Sequence, residues 1–207
     1  MNWSPPPGTA GLIFDCDGTL ADTMPIHYRA WRTIFDPHGI VFTEERFYQL
    51  GGMPTLKIIQ LISAETGTEL GDPTTMTRDK EAAFLETLAE VEPIARVVEI
   101  ARTHRGVLPI AVATGGYRAV IEKTLDFVGI RHWFEALVCA EDTPKHKPEP
   151  HVFWEAARRL GNLEPSRCVV FEDTDIGMEA ARRAGMVGVD VRDWLPPRPG
   201  EFRRPAA

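Results

Sequence analysis

The stretch Gly11–Thr23, GLIFDCDGTLADT, decides how the rest of the chain reads. Its apolar residues Leu12 to Phe14 are too few for a helix, and they run straight into Asp15 and Asp17 with Gly18 and Thr19 behind them. That pattern predicts a buried strand ending in a polar loop. In an open α/β sheet, ligands gather beyond the carboxyl ends of the strands, so both aspartates stand where a site is expected. Two carboxylates one residue apart repel each other unless a cation lies beside them. A hard divalent ion with oxygen ligands resolves the conflict, and magnesium is the usual one where a phosphate shares the site. Asp, Gly and Thr are also ordinary turn residues, so DxD by itself leaves a solvated turn open.

Working outward, 207 residues suffice for one domain or for a core carrying an inserted lid. A hydrophobic share of 43% with 26% charged residues is that of a globular protein. The net charge of −7 and the absence of a long basic run speak against broad binding of nucleic acid or of anionic membranes. Cys16, Cys139 and Cys168 are odd in number, form no CxxC and fall in or beside apolar runs, which suits buried reduced thiols in a cytoplasmic protein. The first ten residues, MNWSPPPGTA, have neither the basic start nor the apolar centre of a signal peptide, and no window approaches a membrane span. A monomer is expected.

Residues 1–10, with three consecutive prolines, read as a flexible arm. After the opening strand, Met24 to Phe35 carries Tyr28, Trp31, Ile34 and Phe35 at helical spacing, and further helical patterns follow at Phe47–Leu50, Leu56–Ile62 and Met76–Leu88. No strand pattern interrupts residues 23–90, which predicts an all-helical cap inserted into the core. Beyond Pro93 helices alternate with short apolar strands. The helices are expected at Ile94–His104, Val120–Val128, His151–Leu160 and Ile176–Ala184, and the strands at Pro109–Ala113, Ala136–Ala140, Cys168–Phe171 and Val187–Val191. The fold class is therefore α/β, a doubly wound parallel sheet with a Rossmann-like core over residues 11–22 and 91–193, followed by a Pro-rich tail at 194–207.

Three later strand ends also carry polar residues. The second strand runs into Thr114, Gly115 and Gly116, where Thr114 offers a hydroxyl and Gly115 a backbone amide to an anion, unless this is an ordinary turn capped by Thr114. EDTPKHKPEP follows the third strand, and lysines in such a loop are ordinarily solvated; His146 between them is expected at the surface. The fourth ends in VFEDTDIG, where Glu172, Asp173 and Asp175 set three carboxylates within four residues. Burial of that many acids is costly without a cation, which favours a metal site over an acidic turn.

These segments resemble the haloacid dehalogenase superfamily. The family's apolar strand with DxDGT is matched through Thr19, its hydroxyl residue by Thr114, its Lys-Pro-x-Pro by Lys147 rather than Lys145, and its acidic pair by Glu172 and Asp173, completed by Gly177, Ala180, Ala181 and Gly185. The motifs stand in order and span nearly the whole chain. Asp22, Thr23, His27, Ala30 and Trp31, with GGMPT and KHKPEP, narrow the resemblance to the β-phosphoglucomutase-like branch, particularly its sugar phosphatases acting on fructose 1-phosphate and related compounds.

The resemblance implies a central first strand flanked by the second and fourth. It implies Asp15 as nucleophile, Asp17 as acid and base, and Thr114, Gly115 and Lys147 around the phosphate. Mg²⁺ would be held by Asp15, the Asp17 carbonyl, Asp173 and Glu172, with Asp175 outside that set. A small phosphorylated sugar would meet His27, Gly52, Thr55 and Lys80 on a cap that bends near Ala21–Thr23 and Val91–Pro93. The implied activity is magnesium-dependent hydrolysis of small sugar phosphates through an aspartyl phosphate. A β-phosphoglucomutase is the alternative. In that enzyme's pattern an Arg closes a Gly-Val-Ser-Arg segment and grips a second phosphate, whereas Gly52, Met53, Pro54 and Thr55 bring no charge.

Other chemistries fit less well. DGTLADT after Cys16 lacks the Arg of a cysteine phosphatase, which leaves Cys16 as a strand-end spacer, and the histidines form no HExxH for zinc. A dehalogenase would not need an acid at Asp17. A non-catalytic binding module on the same fold is opposed by the complete set Asp15, Asp17, Lys147 and Asp173.

Overall fold

A computed structural model of the chain describes residues 3–195. Met1, Asn2 and residues 196–207, which hold nearly all of the Pro-rich tail, lie outside the described residues. At its centre β1 (Gly11–Phe14) is buried along its whole length because helices cover both faces of its sheet. Leu12 and Phe14 face one side, against Val97, Ala101, Ile121 and Leu125. Ile13, pointing the other way, meets Phe153, Ala156, Ala180 and Ala181.

The sheet adds β4 (Ile110–Ala113), β5 (Ala136–Val138), β6 (Cys168–Glu172) and β7 (Val187–Asp190), all parallel, in the order β5-β4-β1-β6-β7. The first strand is thus central and flanked by the second and fourth, the order that the resemblance implies. Parallel neighbours require crossovers, supplied by α5 (Ala95–His104), α6 (Arg118–Val128), α7 (His151–Arg159) and α8 (Asp175–Ala184). The predicted Ala136–Ala140 strand stops at Val138, and the chain turns through a short 3-10 segment at Ala140–Asp142, where the Cys139 amide donates to Asp142 at 2.7 Å.

Between β1 and α5 lie α1 (Met24–Phe35), α2 (Glu44–Gln49), α3 (Thr55–Thr66) and α4 (Pro73–Glu86). They enclose their own core around Trp31, Phe35, Phe42, Phe47, Ile59 and Ile62. Caps set their starts: the Thr43 hydroxyl accepts from Arg46 N at 3.1 Å and the Asp72 carboxylate from Thr75 N at 2.9 Å, with Pro73 in the first turn. At the base of this insert β2 (Ala21–Asp22) and β3 (Glu92–Pro93) form a two-stranded antiparallel ribbon absent from the sequence reading. Strands of two residues carry no readable period. The ribbon ties the chain where it leaves the core to the point where it returns, at the positions expected to bend.

The arm is a correction. From Trp3 onward it is docked: the Trp3 ring stands edge-on to Phe171 at 4.9 Å, and Ala10 N donates to Arg167 O at 2.7 Å. Burial of the indole against the core outweighs the freedom that the prolines leave. No helix among the described residues is long and apolar enough to cross a membrane.

Candidate active site

Parallel pairing brings the strand ends together. β1 delivers Asp15, whose amide donates to Phe171 O at 2.9 Å, and β6 delivers Glu172 and Asp173 beside it. One oxygen from each of Asp15, Glu172 and Asp173 lies within 4.8 Å of the others, and all three side chains are buried. Lys147 Nζ stands 2.7 Å from Glu172 Oε2 and 3.0 Å from Asp15 Oδ1. The latter approach is outside hydrogen-bond geometry, so Asp15 Oδ1 is a buried oxygen with no hydrogen-bond partner.

The surrounding loops fix these acids. Thr19 donates to Asp173 Oδ1 at 3.1 Å, and Glu172 Oε1 accepts from Thr174 N at 3.1 Å and Thr174 Oγ1 at 2.7 Å. A β-carbon on Gly177 would collide with the Glu172 carboxylate, and one on Gly18, whose φ of +76° already favours glycine, with that of Asp173. The loops therefore close directly onto the acids.

Asp15 and Glu172 share the buried Lys147 ammonium, and the Asp15 carboxyl reflects that crowding. Burial, with the Glu172 and Asp17 charges, outweighs Lys147 and pushes the Asp15 carboxyl up to about 7. Lys147 loses to burial but gains more from Asp15 and Glu172, and is held above its usual value. Asp15 Oδ1, ion-paired with Lys147 but without a hydrogen bond, and the all-oxygen donor set fit a hard divalent cation, whose charge would relieve this repulsion.

Asp17 points elsewhere. Its Oδ1 accepts from Thr23 Oγ1 at 2.8 Å and lies 3.2 Å from His27 Nε2. Burial raises its pKa, but the His27 charge and the His27 and Thr23 hydrogen bonds more than reverse that, and it stays below the usual range. Its carboxylate is therefore outside the acidic cluster, which leaves only its backbone for the metal role that the resemblance implies. His27, stacked on Phe84 at 4.1 Å, meets Lys80 Nζ through Nδ1 at 2.8 Å. Lys80 continues to Glu81 at 3.3 Å, and Glu81 Oε1 accepts from Thr55 at 2.5 Å. A polar chain thus runs from Asp17 into the cap.

Asp15, Asp17, His27, Gly52, Thr55, Lys80, Thr114 and Gly115 border one cleft between core and cap. The Thr114 hydroxyl accepts from Gly116 N at 3.1 Å, and a methyl on Gly115 would fall 2.7 Å from Gly52 O, so the two loops nearly touch. Lys147 and Glu172 are buried beside Asp15, and Asp173 borders a second pocket with Thr174 and Ile176. Asp175 pairs instead with Arg192 at 2.7 Å, clear of the cluster. His146 is half-buried, not on the surface, and its pKa is lowered by burial and then by Lys57. Thr19 and Thr23 were named only as motif residues, and Thr174 and Glu81 not at all. Thr174 caps α8 by accepting from Gly177 N and had a readable signal as a cap, whereas Glu81 had none.

With this geometry in place the family follows. A match to the haloacid dehalogenase-like hydrolases spans residues 9–185, and the chain belongs to that family. Fructose-1-phosphate phosphatase YqaB of Escherichia coli K12 is 42% identical over 88% of this chain and 96% of its own length. A phosphorylated carbohydrates phosphatase of Thermotoga maritima is 28% identical over 84% of this chain and 81% of its own. Among solved structures, β-phosphoglucomutase from Clostridium difficile superposes with a TM-score of 0.79 over 88% of this chain and 84% of that one; at 22% identity it bears on the fold alone.

Proposed function

We propose that this protein is a magnesium-dependent phosphatase acting on small sugar monophosphates of the fructose 1-phosphate kind. The observation that carries the reading is Asp15 at the end of the central strand, with Lys147 Nζ 3.0 Å away and carboxylate oxygens of Glu172 and Asp173 within 4.8 Å. The 42% identical relative named for fructose 1-phosphate supports the substrate class. Thr55, which stands where a mutase pattern has Arg, donates its hydroxyl to Glu81, and this favours hydrolysis over mutase chemistry.

In this reading an Asp15 oxygen attacks phosphorus, the bond from phosphorus to the sugar oxygen breaks, and Asp17 gives that oxygen a proton. Water then attacks the aspartyl phosphate, Asp17 takes its proton, and inorganic phosphate leaves with the Asp15 carboxylate restored. In the arrangement described, Asp17 is held ionised by His27 and Thr23, the form that suits the water step. An anionic phosphate arriving beside it shifts its pKa upward, the direction the acid step needs. Asp15, Asp173 and Glu172 with the Asp17 carbonyl would hold Mg²⁺, whose charge would offset the repulsion between carboxylate and phosphate. Thr114, Gly115 and Lys147 steady the phosphoryl oxygens.

Purified protein with magnesium should release inorganic phosphate from fructose 1-phosphate and lose that activity on chelation. Efficient conversion of β-glucose 1-phosphate to glucose 6-phosphate with little phosphate release would replace this reading with the mutase.

A further inference from the structure

Glu81 is a carboxylate that the phosphoryl chemistry does not use. Its side chain is 14% exposed and borders the same cleft as Asp15 and Asp17. Oε1 accepts from Thr55 at 2.5 Å, and both oxygens stand 3.3 Å from Lys80 Nζ. Lys80 is the only lysine or arginine among the described residues that border this cleft. It is 3% exposed, packed over Trp31 and Phe84, and already joined to His27 and Glu81. The one lysine bordering the cleft is therefore matched by an adjacent anion. Tyr117, from the core side, feels that anion too: its phenol is pushed up by burial and then by the Glu81 charge.

An ionised carboxylate accepts hydrogen bonds and donates none. Facing a substrate, it welcomes hydroxyl hydrogens and opposes a second anion, and like charges brought together at a desolvated contact are strongly disfavoured. Resting on the phosphatase reading, we infer that Glu81 is the specificity-determining residue of the cap: it accepts hydroxyl groups of a polyhydroxylated carbon chain and excludes a second phosphate. The site therefore selects sugar monophosphates over bisphosphates. Thr55 fixes the carboxylate by donating its only hydroxyl hydrogen to Oε1.

The test is equilibrium binding to the full chain carrying Asp15→Asn, with magnesium, so that turnover does not interfere. Fructose 1-phosphate should bind at least about tenfold more tightly than fructose 1,6-bisphosphate, a free-energy gap of about 1.4 kcal/mol. Adding Glu81→Gln, which keeps the shape and removes the charge, should shrink that ratio about tenfold by tightening the bisphosphate and weakening the monophosphate. Glu81→Asp, with the charge retained, should keep most of the preference. A ratio unmoved by Glu81→Gln overturns the inference. So does a chain with Glu81 intact that binds the bisphosphate as tightly as the monophosphate, whatever the variants do. Phosphate release by the unaltered chain is scored separately: its absence sinks the phosphatase reading, while the binding ratio alone decides Glu81.

Discussion

The two ends of the cleft are built on opposite electrostatic plans. At the core end Asp15, Glu172 and Asp173 cluster, Lys147 pairs with the first two, and Asp15 Oδ1 has no hydrogen-bond partner. At the cap end Lys80 is matched by Glu81, and each polar group from His27 to Thr55 has its partner. On the proposed function a cation completes the core end, whereas the cap end is already paired. The proposed chemistry then sits among the clustered acids, and the proposed selection beside the paired Lys80 and Glu81.

That contrast breaks first at Lys147, where the largest effect is expected. Lys147→Met removes the cation paired with Asp15 and Glu172, and loss of one partner of a buried ion pair costs about 3–5 kcal/mol. Urea unfolding without metal should show that loss, and turnover should vanish. A stability unchanged within about 0.5 kcal/mol would mean that the core end is not held by this ammonium.

Asp17 joins the two plans, since its carboxylate leans towards His27 and not into the acidic cluster. Asp17→Asn should therefore lower the rate about 10² to 10⁴-fold. Magnesium affinity should change little. A large loss of magnesium affinity would place the Asp17 carboxylate in the metal site.

A smaller effect sharpens the comparison through pH. The Asp15 carboxyl titrates at about 7 in the folded chain against an ordinary value of 3.8. Between these values the metal-free folded chain keeps a proton that the unfolded chain has lost. The stabilisation from protonated Asp15 is thus full below about pH 3.8 and fades as pH rises towards about 7. Magnesium favours the ionised form, so the rise in Tm on adding magnesium should grow between about pH 5 and pH 7.5. A rise in Tm independent of pH would remove Asp15 from the metal site.

The core end was legible because its chemistry hangs on strands. An apolar run ending in DCDGT and another ending in FEDTD each state where the acids go, and parallel pairing brings the two ends together. The cap end was legible only in pieces. His27 and Lys80 were found through the family resemblance, but Glu81 follows Asp79 and Lys80 in a helix whose charges look like a solvated face. Only the packing of α4 on α1 and α3 turns Lys80 and Glu81 inward. The ribbon of Ala21–Asp22 and Glu92–Pro93 was hidden by its length, and the docking of Trp3 by the prolines that follow it.

The proposed hydrolysis turns on a phosphoryl group carried on Asp15. Acid quenching during turnover of a sugar phosphate, borohydride reduction and peptide mapping test it most directly. The Asp15 carboxyl alone should be reduced to the alcohol, in amounts that depend on substrate and magnesium. Reduction at another residue, or no trapped acyl phosphate in a preparation turning over at full rate, would contradict it.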